Sequence, residues 1–196
     1  MLGTHTGTHL DAPWHYHPTM SGGQRAITID EVPLDWCYGQ GVKLDFSDKG
    51  DGYLVTARDV EEKLKEIGHS LKEGDIVLVQ SGADPYCDSE EYMLRGCGMG
   101  RESTNYLTER GVKLVGTDAW SWDRPLPLVA EEFAKTRDKS IIWEGHFAGI
   151  DRGYCHIEKL TNLDKLPSDG FKVACFPTKS EGGSAGWVRP VAILEE

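Results

Sequence analysis

No apolar run approaches the roughly eighteen residues that a bilayer-spanning helix requires, so a transmembrane segment is excluded. The opening stretch, MLGTHTGTHLDAPWHYHP, lacks both the basic flank and the apolar core of a secretory signal. There is no excess of positive charge: 21 Lys and Arg stand against 32 Asp and Glu, a formal net charge of −11. That balance argues against a nucleic-acid partner, which needs a cationic face. The five cysteines, Cys37, Cys87, Cys97, Cys155 and Cys175, are odd in number and never spaced CxxC. They read as reduced thiols of a cytoplasmic protein rather than as a disulfide scaffold. Gly182-Gly-Ser184-Ala-Gly186 has the spelling GxSxG, but a strand rather than a helix is expected after it, which leaves a serine hydrolase unsupported. The glycine-rich Gly96–Arg101 stretch matches neither a P-loop nor a dinucleotide fingerprint, and is read as a tight loop.

What is present is the composition of an ordinary globular protein: 39% hydrophobic and 27% charged over 196 residues. With no repeat, low-complexity tract or linker, residues 1–196 are read as one domain. Short β-branched runs at 75–80, 113–116, 140–143 and 171–176 predict buried strands, and 187–194 a last strand with an edge or bulge at Pro190. Between them, 57–67 places Val60, Leu64 and Ile67 on one helical face, with Thr56 as N-cap and Gly68 as stop. Two more helices are expected over 102–110, ended by Gly111, and 126–136. Strands alternating with helices predict an α/β fold.

Four of the seven histidines fall within the first 17 residues: His5, His9, His15 and His17, with Asp11 among them. Imidazole and carboxylate together suit a borderline divalent cation such as Zn2+ or Mn2+. His9 and Asp11, two apart, share a face of an extended segment, and a turn at Gly7 lets His5 join them. Three protein ligands with an open position describe a catalytic rather than a structural metal. Farther on, His146 and His156 are both candidates to accompany Glu158, and spacing alone does not choose between them; His156 and Glu158 are placed to share a strand face.

The segment His5-Thr-Gly-Thr-His9-Leu-Asp11-Ala-Pro13-Trp-His15 resembles the HxGTHxDxPxH signature of the cyclase family of metal-dependent hydrolases at every specified position. A second family element, a histidine followed twelve residues later by E-x-L-x-N-L-x-x-L-P, is matched by His146 and by Glu158 through Pro167. The resemblance implies the swivelling β/β/α fold of that family as a single domain. Members carry several tens of residues ahead of the first histidine, so the fold is expected here without its leading strands. It also implies His5, His9 and Asp11 as ligands of a first metal, and His146 and Glu158 as ligands of a second that Asp11 bridges. His15 is implied as the catalytic histidine, a proton shuttle. The implied activity is hydrolysis of a small aryl or cyclic amide or ester, of the arylformamidase (N-formylkynurenine) type. Lactone or cyclic-amide hydrolysis of the dienelactone or isatin type is the alternative, and a catalytically silent metal-binding scaffold the alternative of another class.

Other residues are weighed beside these. Trp120 and Trp122, next to charged residues, are candidates for a wall of the substrate pocket, and Arg101 for a clamp on a substrate carboxylate. His17 is expected to be solvated or supporting, Glu144 structural, and His69, after a helix stop, solvent-exposed. The expected partners are a small-molecule substrate and further copies of the chain, in a homodimer or higher homo-oligomer, with no nucleic acid and no membrane.

Overall fold

The computed structural model describes residues 2–194. Its strands are, in chain order, β1 (His9–Asp11), β2 (Thr19–Met20), β3 (Gln24–Arg25), β4 (Tyr38–Asp45), β5 (Leu54–Val55), β6 (Ile76–Gln80), β7 (Gly98–Met99), β8 (Leu114–Thr117), β9 (Cys155–Glu158), β10 (Phe171–Ala174), β11 (Ala185–Trp187) and β12 (Val191–Leu194). The α-helices are α1 (Pro13–Tyr16), α2 (Ala57–Glu66), α3 (Arg101–Thr108), α4 (Leu126–Thr136) and α5 (Glu144–Asp151). Eight strands form one sheet in the order β11-β1-β9-β8-β6-β4-β10-β12. Its centre, β4, β6, β8 and β9, is parallel, and the outer strands on both sides run antiparallel. The α/β class expected from the sequence is the one observed.

The parallel strands are apolar on both faces because both faces are covered. Along β6, Val77 and Val79 pack toward Val60 and Leu64 of α2 and Leu107 of α3. Ile76 and Leu78 point the other way, into a second core with Leu10, Ile157, Phe171 and Val173. Thr56 caps α2 as expected, its hydroxyl accepting from the Asp59 amide while the Asp59 carboxylate takes the Thr56 amide. Gly68, with φ of 69°, supplies the left-handed turn that ends the helix.

The last expected strand is two strands. β11 and β12 lie at opposite edges of the sheet, joined only through Val188, Arg189 and Pro190. Seven strand spacings would separate the edges of a flat sheet by about 34 Å. Four residue steps reach about 14 Å at most, so the sheet is curled until its edges approach, and the second core fills the inside of the curl. Pro190 sits where the chain leaves one edge for the other.

The strand expected at 140–143 is not formed. A short 3-10 helix (Lys139–Ile141) starts there, with the Asp138 carboxylate accepting from the Ser140 amide at 2.9 Å, and Trp143 adopts φ of 55° as the residue that opens α5. His69 is also not solvated as expected: its Nε2 lies 2.9 Å from Asp75 Oδ2, and Asp169 stands at 3.6 Å on the other side of the ring.

Candidate metal centre and active site

Strand register assembles the site. In the antiparallel β1–β9 pair, His9 lies opposite Glu158, Leu10 opposite Ile157 and Asp11 opposite His156. Alternation sends Leu10 and Ile157 into the core of the curl, and all four polar side chains to the other face. His156 and Glu158 do share their strand face. All four are buried.

The remaining imidazoles of the site reach the same place from a loop and two helices. Gly7 turns with φ of 69°, bringing His5 Nδ1 to 2.8 Å from Asp11 Oδ1, and Ser184 holds the other His5 nitrogen at 2.9 Å. Ala12 is extended ahead of Pro13, which opens the single turn α1 and carries His15 Nε2 to 3.9 Å from Asp11 Oδ2. His146 enters on the first turn of α5. The Asp11 carboxylate thus straddles two groups: Oδ1 faces His5 and His9, and Oδ2 faces His156 at 3.0 Å and His15. Asp11, His146, His156 and Glu158 offer atoms within 4.8 Å of one another, as do His5, Asp11 and His15.

Tautomers can be read from the acceptors. The Gly7 carbonyl, which can only accept, lies 2.8 Å from His9 Nδ1, so that nitrogen carries the proton and His9 Nε2 presents a lone pair. It is directed at Asp11 Oδ1 at 3.2 Å and Glu158 Oε2 at 3.6 Å. His9 Nε2 and Asp11 Oδ1 are buried with no hydrogen-bond partner. Two facing acceptors without a proton between them fit a cation, and the mixed imidazole and carboxylate donors fit a divalent metal. His146 is arranged alike: Nδ1 donates to Asp123, leaving Nε2 free to ligate.

Electrostatics follow the same geometry. Burial works against ionisation of Asp11, but the hydrogen bond from His156, helped by the neighbouring His5 ring, holds it well below the usual carboxylate range. Burial likewise opposes Glu158, and His156 outweighs it, leaving Glu158 at about 2. Against the cost of burial, Asp11 and Glu158 raise His156 to about 9. His15 behaves differently: burial pushes it down to about 4, only partly offset by Asp11, so its ring is neutral at pH 7.

A cavity of about 270 Å³ opens onto this cluster, lined by His5, His15, Trp120, Trp143, His146 and Glu158 among others. Trp120, 43% exposed, lines it. Trp122 does not. It is 1% exposed in the helix-side core, its indole donating to Thr104 Oγ1 at 3.0 Å and stacked behind His156 with centroids 6.2 Å apart, while its backbone amide donates to Glu158 Oε1. An indole that fills the gap between α3 and α5 is not available to line a cavity. Arg101 is also withdrawn from the expected clamp: Asp151 takes its guanidinium through two bonds of 2.7 and 2.8 Å. His17 stays outside the cluster, bonded to Thr19.

Sequence reasoning assigned no role to Asp123, Trp143, Ser184 or Lys159. Asp123 accepts from the amides of Gly145 and His146 as well as from the His146 ring. Trp143 stacks on His146 with centroids 4.6 Å apart. The one available signal was the Trp-Ser-Trp-Asp run, read for its indoles rather than for its carboxylate.

Comparison with known proteins places this arrangement. Residues 1–124 match the model of the Cyclase family, described as "Putative cyclase". The chain is 28% identical over 191 residues to a kynurenine formamidase of Salinibacter ruber, covering 97% of this chain and 76% of that one. It is 29% identical over 197 residues to a kynurenine formamidase of Erythrobacter litoralis, covering 100% and 74%. In fold it is similar to an isatin hydrolase bound to a product analogue, thioisatinate, with a TM-score of 0.79 and 21% identity over 100% of this chain and 74% of that one.

Proposed function

The chain belongs to the Cyclase family, and from that premise we propose that it is a metal-dependent hydrolase cleaving the C–N bond of a small aryl or cyclic amide. The observation that carries the reading is the pair of buried, unpartnered acceptors, His9 Nε2 and Asp11 Oδ1, facing each other across 3.2 Å. His5, His9 and Asp11 would hold one divalent cation, and Asp11, His146 and Glu158 offer donors for a second, which His156 would join on giving up its ring proton. Zn2+ or Mn2+ suits that donor set. Such a cation supplies Lewis acidity, polarising a carbonyl and making water more acidic.

The chain's own residues supply the rest. His15, neutral because burial holds it down to about 4, accepts a proton from the attacking water and returns it to the departing nitrogen. Asp123 keeps the His146 ring in one orientation. Trp120 and Trp143 flank the cavity with flat apolar faces, which suits an aromatic substrate.

Arylformamidase-type cleavage, releasing formate and an aryl amine from an N-formyl aryl amide, is the first reading; two relatives that align with almost the whole chain bear that activity's name. Opening of a fused cyclic amide or lactone is the second, favoured by the two indoles in one cavity. Protein reconstituted with zinc or manganese and assayed on N-formylkynurenine, isatin and a dienelactone tests the proposal. Turnover of the formamide above the cyclic substrates is expected. Metal-loaded protein that hydrolyses none of them would overturn it.

A further inference from the structure

Beside the cavity over the cluster lies a second, of about 450 Å³, and His5, Trp120 and Lys159 line both. Lys159 directly follows Glu158 at the end of β9, and a regular strand would send these neighbours to opposite faces. Instead Lys159 adopts φ of 62°, a conformation rare for a lysine. Two hydrogen bonds hold it there: its amide donates to the Ala119 carbonyl at 3.0 Å, and its carbonyl accepts from Thr8 Oγ1 at 2.7 Å. The consequence is that Lys159 faces the same space as Glu158. Its ammonium lies 3.3 Å from Glu158 Oε2 and 4.7 Å from the centre of the Trp120 ring, so the charge is braced on an aromatic face.

The other long basic side chain lining the first cavity is engaged elsewhere: Arg124 pairs with Glu132 at 2.9 Å and faces Glu144 at 3.9 Å. Lys159 has Glu158, a carboxylate of the metal cluster. Were Glu158 to hold a divalent cation, its carboxylate would be less available to Lys159, leaving the ammonium to face the cavities. The walls otherwise present the acidic groups Asp123 and Glu158, so an anionic ligand needs a dedicated cation to enter.

We propose that Lys159 is a specificity-determining residue whose ammonium, seated over Trp120, receives a carboxylate of the substrate. The substrate is then an aryl carbonyl compound bearing a carboxylate that reaches from the cluster toward the second cavity. This rests on the hydrolase reading for the place of the reacting carbonyl, but its test does not depend on turnover.

Metal-loaded wild-type protein and a Lys159→Met variant are titrated with 3-benzoylpropionate, an aryl ketone with a carboxylate, and with its uncharged primary amide. Methionine keeps the apolar stem against Trp120 and removes only the charge. Wild-type protein is expected to bind the acid more tightly than the amide, and the variant to lose about tenfold for the acid and much less for the amide. Metal content and thermal melting establish that the variant is folded; Lys159→Gln takes its place if it is not. Equal binding of the two probes by wild-type protein, or binding of neither, overturns the proposal. So does an equal loss for both in the variant, which would make Lys159 a structural brace for Glu158. Undiminished binding of the acid overturns it too, by sending the carboxylate to the cluster instead. A protein that binds the acid through Lys159 yet hydrolyses no amide would fail the functional reading and keep this one.

Discussion

Asp123 grips His146 twice, accepting from its backbone amide at 3.2 Å and from its ring Nδ1, while the neighbouring Gly145 amide donates to the same carboxylate at 2.7 Å. One side chain thereby fixes the start of α5 and the tautomer of a candidate ligand. Asp123→Asn should weaken metal binding by about 10- to 100-fold, the usual effect of losing such a partner. Metal titration followed by elemental analysis checks this. Affinity equal to wild type would remove Asp123 from the account.

His9 and His15 separate ligand from proton carrier. His9→Ala removes the unpartnered Nε2 lone pair, so metal content and turnover should fall together. His15 stands farther from Asp11, at 3.9 Å. His15→Ala should keep nearly all the metal while turnover drops by roughly 10²–10⁴-fold. Metal and rate are measured on the same samples. If both variants lose metal equally, His15 belongs among the ligands.

Gly98 lies in strand β7 rather than in the tight loop expected for the glycine-rich stretch, and it packs directly on neighbouring backbone. A Cβ there would stand 2.1 Å from the Arg124 amide nitrogen and 2.3 Å from the Asp123 carbonyl carbon, both backbone atoms that have no rotamer to yield. Gly98→Ala should cost about 1–3 kcal/mol or more of stability and loosen metal binding through Asp123. A melting curve unchanged from wild type would contradict the close approach.

Glu31 sets part of the acid response. Arg25, then the Thr28 amide and hydroxyl, draw its carboxyl from 4.5 to about 2. A folded-state value below the unfolded one stabilises the fold fully above about pH 4.5 and is lost as pH falls toward 2. Glu31→Gln should therefore lower the melting temperature slightly above about pH 4.5, leave it unchanged near pH 2, and so flatten the decline between. Because the pair is exposed, the effect is small, and parallel curves in acid would dismiss it.

Assembly is a further expectation. Trp187, Val191, Ile193 and Leu194 are exposed on the two edge strands. Edge strands bearing apolar side chains favour pairing with another chain, and two-fold pairing is the commonest closed form. We propose a homodimer or higher homo-oligomer. Light scattering that reports a monomer at micromolar concentration would overturn it.

Much of the candidate site was legible because its first elements are local. His9 and Asp11 share a face through the two-residue period of a strand, Gly7 turns the chain between His5 and His9, and Pro13 places α1. The same holds for α2, where Thr56, Asp59 and Gly68 act within a few residues of one another. At 140–143 local patterning misled, because the β-branched pair Ile141–Ile142 is taken into a turn by the neighbouring Asp138 cap and the left-handed Trp143.

The order of the ligating residue types along the chain, the α/β alternation and the helix ends were determined by the sequence itself, since they depend on spacings that backbone geometry alone converts into faces and caps. Only the tertiary structure decided that His156 joins His146 in the cluster, because Asp11 and His156 lie 145 residues apart and meet through the β1–β9 register. Only it withdrew Arg101 to Asp151 and sank Trp122 into the core, where an opposite charge and an unfilled volume came from distant segments. The curl of the sheet belongs there too. It closes because the three residues after Trp187 must join opposite edges, and no reading along the chain shows which strands those edges are.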